Sequence, residues 1–154
     1  MQNTESLTPA QRAFANDMGQ HMVGWGLPRT TGRVYAYLLL QDAPVDLDRI
    51  CSALEVARSA ASVATRQLVH FGMARAMGVR GTRRLVYEAL HGLEAMFSAR
   101  NAQTLALIQQ FQHGVRAAPP GAVQERLTQM ATTLQRFLDE VPALLARMRD
   151  GEDT

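Results

Sequence analysis

Apolar residues fall along this chain mostly at helical spacing, and the stretch that organises the pattern runs from Asp46 to Ala89. Leu47, Ile50, Cys51 and Leu54 mark one face of a short helix. Asp46 stands where an N-cap belongs, and Asp48 lies in the first turn, where the helix dipole favours negative charge. Glu55, Val56 and Ala57 then separate it from a second segment, Arg58 to His70. There Ala61, Ala64, Thr65 and Leu68 face inward, and Arg58, Ser59, Ser62 and Arg66 face out. Two short helices joined by a tight turn, the second with a small-polar and arginine face, have the shape of a recognition unit. Gly72 ends the second helix at a position suited to left-handed geometry. Met73 to Met77 and Leu85 to Ala89 follow as short strands around a glycine-bounded arginine loop, Gly78 to Arg84, which predicts a hairpin wing.

The flanks are helical as well. Thr8, Pro9 and Gln11 form a helix start: an N-cap, a proline at the first helical position and a residue to close a capping box. The helix that follows carries Phe14, Met18, Met22 and Trp25 on one face, and Gly24, Gly26 and Pro28 end it. A second, from about Thr31 to Leu40, carries Val34, Tyr35, Leu38 and Leu39 before Pro44 breaks the pattern. Beyond the wing, a helix from about Leu93 to Val115 shows Phe97, Leu105, Ile108, Phe111 and Val115 on a partly regular stripe. The run Ala117 to Gly121, with two prolines, is a break. Then Val123, Leu127, Met130, Leu134, Phe137, Val141, Leu144 and Met148 alternate in steps of four and three, an a/d seam of the kind buried against another helix. Pro142 inside that seam predicts a kink or break near Leu138. The seam can pack on the preceding helix of its own chain or on a second copy, and a two-fold homodimer is the expectation.

Charge sharpens the picture. The net charge is only +2, and lysine is absent, so every basic side chain other than histidine is an arginine. Six of those arginines (Arg58, Arg66, Arg75, Arg80, Arg83, Arg84) lie between Val56 and Tyr87, a window without Asp or Glu. A local basic face on a helix-turn-helix pattern implies double-stranded DNA as partner. Ser62 and Arg66, one turn apart, are the candidate base-edge contacts. Arg58 and Arg75 are candidate phosphate anchors, and Arg80, Arg83 and Arg84 would reach the adjacent minor groove or its backbone. Arg29 and Arg33 either touch phosphate or brace the helix-turn-helix internally.

Other chemistry is sparse. The single cysteine, Cys51, rules out an intrachain disulfide and reads as an inert thiol on an apolar face. His21, His70, His91 and His113 lack metal-ligand spacing, so no metal site is expected. Ser59 and Ser62 have no paired base, and no glycine loop cradles phosphate. Neither an enzyme nor a cofactor is predicted. Trp25, Tyr35 and Tyr37 are candidates for an aromatic pocket, with core packing the default for Trp25 and Tyr35. No signal peptide pattern occurs, nor any apolar run near the roughly 18 to 20 residues that span a bilayer, so a cytoplasmic protein is expected.

From Gly26 to Val34 the chain reads Gly-Leu-Pro-Arg-Thr-Thr-Gly-Arg-Val. An apolar helix, a proline, the helix-turn-helix and a Gly-Thr-Arg-Arg wing running into Val86, Tyr87 and Glu88 come next. Over about residues 15 to 90 this resembles the GbsR branch of the MarR-type regulators, with the Gly-x-Pro-Arg-x-x-Gly-Arg segment as its most specific element. The resemblance implies a dimeric winged-helix transcription factor whose terminal helices form the dimer interface. Some relatives respond to choline or betaine-like compounds and other MarR-type proteins to aromatic acids, which makes a small-molecule effector a candidate partner without identifying it. Ala57 departs from the family pattern, standing where a Ser or Thr usually caps the recognition helix.

The expected fold is therefore mainly α with a small β-hairpin wing. Residues 1–30 form an N-terminal helix in the packing region, 31–90 a winged helix-turn-helix, and 91–154 a C-terminal dimerisation region. The expected function is a DNA-binding regulator, a dimeric repressor. From another class, the same basic module could bind an acidic protein partner.

Overall fold

The computed structural model describes residues 6–91 and 93–152, and it divides into two compact units, residues 1–99 and 100–154. The first unit holds helices α1 (Pro9–Val23), α2 (Arg29–Leu39), α3 (Leu47–Leu54) and α4 (Arg58–His70), with strands β1 (Val45–Asp46), β2 (Ala74–Gly78) and β3 (Leu85–Ala89). Helix α5 (Leu93–Ala117) crosses the boundary between the units, and α6 (Ala122–Glu152) lies in the second. Among the described residues, no helix is long and apolar enough to cross a membrane.

Local chemistry starts the elements where the sequence places them. The Thr8 hydroxyl accepts from the Gln11 amide at 3.1 Å, and the Gln11 side chain accepts from the Thr8 amide at 3.0 Å, closing the capping box. Asp46 caps α3 by accepting from the Arg49 amide at 2.9 Å. Helix α4 starts at Arg58 with Ala57 as N-cap and no side-chain cap bond, so packing carries what a cap would have added. The helices α3 and α4 match the expected pair.

Helix α2 is the hub of this unit. Thr31, Gly32, Val34, Tyr35, Ala36, Tyr37 and Leu38 are all buried, so it is covered nearly all round. Its first turns cross α1 at a point where both helices carry glycine. A Cβ on Gly32 would stand 2.8 Å from the Gly19 Cα, and one on Gly19 2.8 Å from the Arg29 carbonyl oxygen. This crossing rotates α1 from its expected face: Ala15, Gly19 and Met22 are buried, whereas Phe14 is 40% exposed. Leu39, expected inside, is likewise exposed at the end of α2.

The expected hairpin becomes the outer part of a three-stranded antiparallel sheet in the order β1-β3-β2. Val45 pairs with Tyr87 and Asp46 with Val86, so the residues leading into α3 are stitched to the wing. Two residues are too short a strand to announce themselves by alternation. Strand β2 opens at Ala74, one residue later than expected, while the Met73 carbonyl accepts from the Leu90 amide.

In the second unit, Leu127 packs against Gly114 and the Gln124 side chain donates to the Val115 carbonyl at 3.1 Å. The chain thus folds back at the link before α6, where Gly121 takes φ +125°. Helix α6 runs unbroken through Pro142, so the expected break does not occur. A proline removes one backbone bond, and the burial of Val141 and Leu145 beside it offsets that loss. The expected seam divides. Val141 is buried, and Leu127 and Leu134 are half-buried, whereas Val123, Met130, Phe137, Leu144 and Met148 are exposed. The inward line is Leu127, Ala131, Leu134, Leu138, Val141 and Leu145, also in steps of four and three. The step pattern had merged two adjacent rows of one helix.

Gly32→Ala tests the crossing. Helix propensity alone would favour alanine by about 1 kcal/mol. Overpacking costs about 1–3 kcal/mol, and here the clash is with backbone, which no rotamer change relieves. The expected result is a net loss of stability, read as a lower thermal midpoint by circular dichroism; an unchanged or raised midpoint would mean that the helices separate freely.

Candidate nucleic-acid interface

Helix α4 is held from behind by groups that the glycine crossing delivers. Thr31 on α2 donates a short hydrogen bond to the Gln67 side chain on α4. Arg33 donates to Asn16 on α1 at 3.0 Å and to the Leu54 carbonyl at the end of α3, also at 3.0 Å. Burial, with Arg29 and Arg12 nearby, lowers the Arg33 pKa, and Glu55 opposes the shift. Arg33 is thus an internal brace. Arg29 is exposed and makes no ion pair among the described residues. Glu55, in the turn between α3 and α4, takes the left-handed conformation at φ +55°, ψ +46°. That conformation costs a non-glycine residue about 1–2 kcal/mol, and the turn is supported by the Arg12–Glu55 pair at 3.4 Å and by Arg33.

The outward face of α4 follows from its buried line, Ala61, Ala64, Thr65 and Leu68. At about 100° per residue, Ser59, Val63, Arg66 and His70 lie within about 30° of the opposite direction. Ser59, Arg66 and His70 are exposed, and Val63 is 46% exposed. Ser62 is half-buried, about 70° off that direction. Val63 was missed by the sequence reading, which looked for polar side chains; counting steps of four, three and four from Ser59 would have found it. The Arg66 Nε donates to the Ser62 carbonyl at 3.3 Å, which lays the guanidinium back along the helix and leaves its terminal nitrogens free to bond elsewhere. No carboxylate pairs with Arg66 among the described residues.

The wing is a tight turn. The Thr82 amide donates to the Val79 carbonyl at 3.0 Å, and Gly81 sits at φ +79° in the third position, where a type II turn requires it. Arg80 therefore occupies the tip. The Thr82 hydroxyl donates to Val79 at 2.9 Å and accepts from the Arg84 amide at 3.2 Å, fixing the return. Arg80 and Arg83 are exposed and form no ion pair among the described residues.

The other three arginines meet carboxylates from just outside the acid-free window. Arg75 pairs with Glu88 across the β2–β3 ladder, where the two stand opposite one another. Arg58 pairs with Asp48. Arg84 reaches Asp46 at 2.8 Å and Asp48 at 3.7 Å. Asp46 therefore does two jobs, since one oxygen caps α3 and the other ties down the wing. These groups border a cleft of about 270 Å³ between α3, the start of α4 and the wing.

The aromatic candidates part company. Tyr35 and Tyr37 are buried and leave α2 about 200° apart. The Tyr35 hydroxyl donates to the Leu90 carbonyl at 2.9 Å, and burial raises its pKa. Tyr37 lines a cavity of about 210 Å³ with Asp46, Asp48 and Arg49. Trp25 is half-buried against the core. Cys51 is a free thiol, half-buried against the same core. Among the described residues, no group of three or more His, Cys, Asp or Glu could hold a metal.

A mostly helical chain with a helix-turn-helix and a small antiparallel wing sheet has the winged-helix fold of transcription regulators. The crystal structure of a transcriptional regulator is similar over 92% of this chain and 99% of that one, at 26% identity and a TM-score of 0.76. MepR, a transcription regulator of the Staphylococcus aureus multidrug efflux pump MepA, aligns more loosely. That alignment covers 86% of this chain and 90% of MepR at 17% identity, with a TM-score of 0.41. No family model matches the sequence. No curated protein matches it either.

The two aspartates should respond oppositely to substitution. Asp48 is 65% exposed, and its carboxylate competes with any phosphate for Arg58. An exposed pair contributes about 0–1 kcal/mol, so Asp48→Asn should tighten duplex DNA binding by a few-fold and leave stability nearly unchanged. Asp46→Ala removes an N-cap that contributes about 0.5–2 kcal/mol and frees the wing, so it should lower the thermal midpoint and weaken binding. Equal effects of the two on affinity, measured by fluorescence anisotropy, would contradict this division of labour.

Proposed function

We propose that this chain is a sequence-specific regulator of transcription that binds double-stranded DNA as a homodimer, of the MarR type and its GbsR-like branch. The observation that carries the reading is the outward face of α4, exposed and free of acidic side chains, beside a wing whose tip arginines have no carboxylate partner among the described residues. A helix braced from behind and bare in front suits a major groove, and Arg80 and Arg83 suit the flanking backbone or minor groove. The similar transcriptional regulator supports the assignment over nearly the whole chain.

Its test is a titration with duplex DNA. Contacts to roughly six to ten phosphates per dimer predict a loss of about a thousandfold or more in affinity between 50 and 200 mM salt. Arg66 can form a bidentate pair with guanine, contributing about 1–3 kcal/mol of discrimination. Arg66→Ala should therefore lower affinity for a selected site by about 10- to 100-fold and leave random-sequence binding within a few-fold. Binding indifferent to salt would favour an acidic protein partner instead.

For assembly, the supporting feature is the outer row of α6. Val123, Met130, Phe137 and Leu144 recur every seven residues and are 47%, 47%, 53% and 44% exposed. A row at heptad spacing suits a second copy of the same helix. Because these side chains are already exposed, Met130→Glu with Phe137→Glu spares the chain's own core. The expected outcome is a folded monomer by sedimentation, with helical content intact and DNA affinity reduced. A wild-type monomer at micromolar concentration would refute the dimer.

A further inference from the structure

Helix α4 carries two exposed valines, and they differ in what surrounds them. Val69 is 40% exposed and points about 90° from the outward direction, toward the flank of the helix. Val63 is 46% exposed and sits in the middle of the outward face, one turn after Ser59 and one turn before Arg66. It is the apolar member of an otherwise polar stripe, Ser59, Val63, Arg66 and His70. The buried line of α4, Ala61, Ala64, Thr65 and Leu68, does not include it. A β-branched residue at an exposed helix position also costs helix propensity relative to alanine.

A major groove contains one apolar group that such a side chain can meet, the C5 methyl of thymine. The geometry pairs that contact with Arg66. Side chains three apart on a helix stand about 5–6 Å from one another, and base steps are about 3.4 Å apart along a strand. A guanine under Arg66 therefore puts a Val63 contact within two base steps of it. The backbone bond from Arg66 to Ser62 draws its guanidinium toward the same end of the helix as Val63.

We infer that Val63 is a specificity-determining residue that reads a thymine methyl, and that each half-site holds a thymine within two steps of the guanine read by Arg66. This rests on the DNA-binding function proposed above. It extends that reading from the charged contact to an apolar one and states the ligand's chemistry: a 5-methylpyrimidine, distinguished from its unmethylated counterpart.

The test removes the methyl without altering base pairing. The duplex most enriched by the wild-type protein from random DNA is remade with deoxyuridine in place of each thymidine in turn. Transfer of one methyl out of water corresponds to about a fourfold change in affinity. One thymine position per half-site should show a loss of that size for the wild-type protein. For Val63→Ala the loss at that position should shrink below about twofold. Val63→Ala should fold, since the side chain is exposed and alanine favours helix. Val69→Ala is the matched control and should keep the full wild-type sensitivity.

The contrary outcomes are distinct. Selective, salt-dependent binding that ignores every thymine methyl overturns this inference and leaves the DNA-binding function standing. So does a methyl-sensitive position that stays sensitive in Val63→Ala, or that loses sensitivity equally in Val69→Ala. Failure of the wild-type protein to bind any duplex overturns both together.

Discussion

The constraint on which the rest of the first unit depends is the close approach of α1 and α2 at Gly19 and Gly32. Two helices that touch backbone to backbone cannot slide or rotate as side-chain-padded helices can. Their register decides where Thr31 and Arg33 emerge, and those two residues hold the Gln67 side chain on α4 and the last carbonyl of α3. The position of α4 is thus set behind the face it presents. A half-buried arginine that donates to a carbonyl and an amide forfeits part of its hydration, and this is sustainable only where the partners are fixed. The glycine contact provides that fixity.

On the exposed side the organising quantity is charge, and it is less lopsided than the sequence window suggests. Of the six arginines there, three have a carboxylate within reach and, among the described residues, three do not. The Arg58–Asp48 pair is exposed and weak, so Arg58 can exchange Asp48 for phosphate at small cost. The acids are not idle in the free protein. They keep like charges from repelling one another around the cleft at the start of α3, and Asp46 ties the wing to the start of α3. Such a face is pre-arranged for a polyanion without being a free polycation, consistent with a net charge of only +2 for the chain.

Much of this was legible in the sequence because it is local. The capping box at Thr8, the Asp46 cap, the two helices of the helix-turn-helix, the glycine turn of the wing and the proline break before α6 rest on neighbours within a few residues. What was not legible depends on partners far along the chain. The strand β1 exists only because Val86 and Tyr87 lie beside Val45 and Asp46. The pairing of Arg58 and Arg84 with acids that precede the arginine-rich window is invisible to a count made inside it. The rotation of α1 away from Phe14 follows from a glycine contact between two helices, and periodicity alone ranks Phe14 above Gly19. In α6 two apolar rows satisfy the same four-three rule, and only the packing partner decides which turns inward. For the candidate interface, the arginines were legible from composition. Val63 was legible by the same helical count from Ser59, but attention to polar side chains passed over it.

The two kinds of exposed apolar surface in this chain differ in what they can accomplish, and the difference is one of contiguity. Isolated surface valines are ordinary and rarely drive association. A row repeating every seven residues over three heptads presents a continuous strip, and such strips are where helices of separate chains pack. Val63 therefore cannot recruit a protein partner on its own; in the proposed complex its methyls would only sharpen a contact that charge and shape make. A single methyl contact discriminates by a factor of about four, too little for a regulator to find one site among many. The two-fold assembly proposed above would change that arithmetic, because each reading contact would occur once per half-site and the factors would multiply to about sixteen. The same holds for Arg66. In the proposed homodimer the outer row of α6 would serve specificity as much as stability: it would convert weak reading by one short helix into a symmetric preference strong enough to matter.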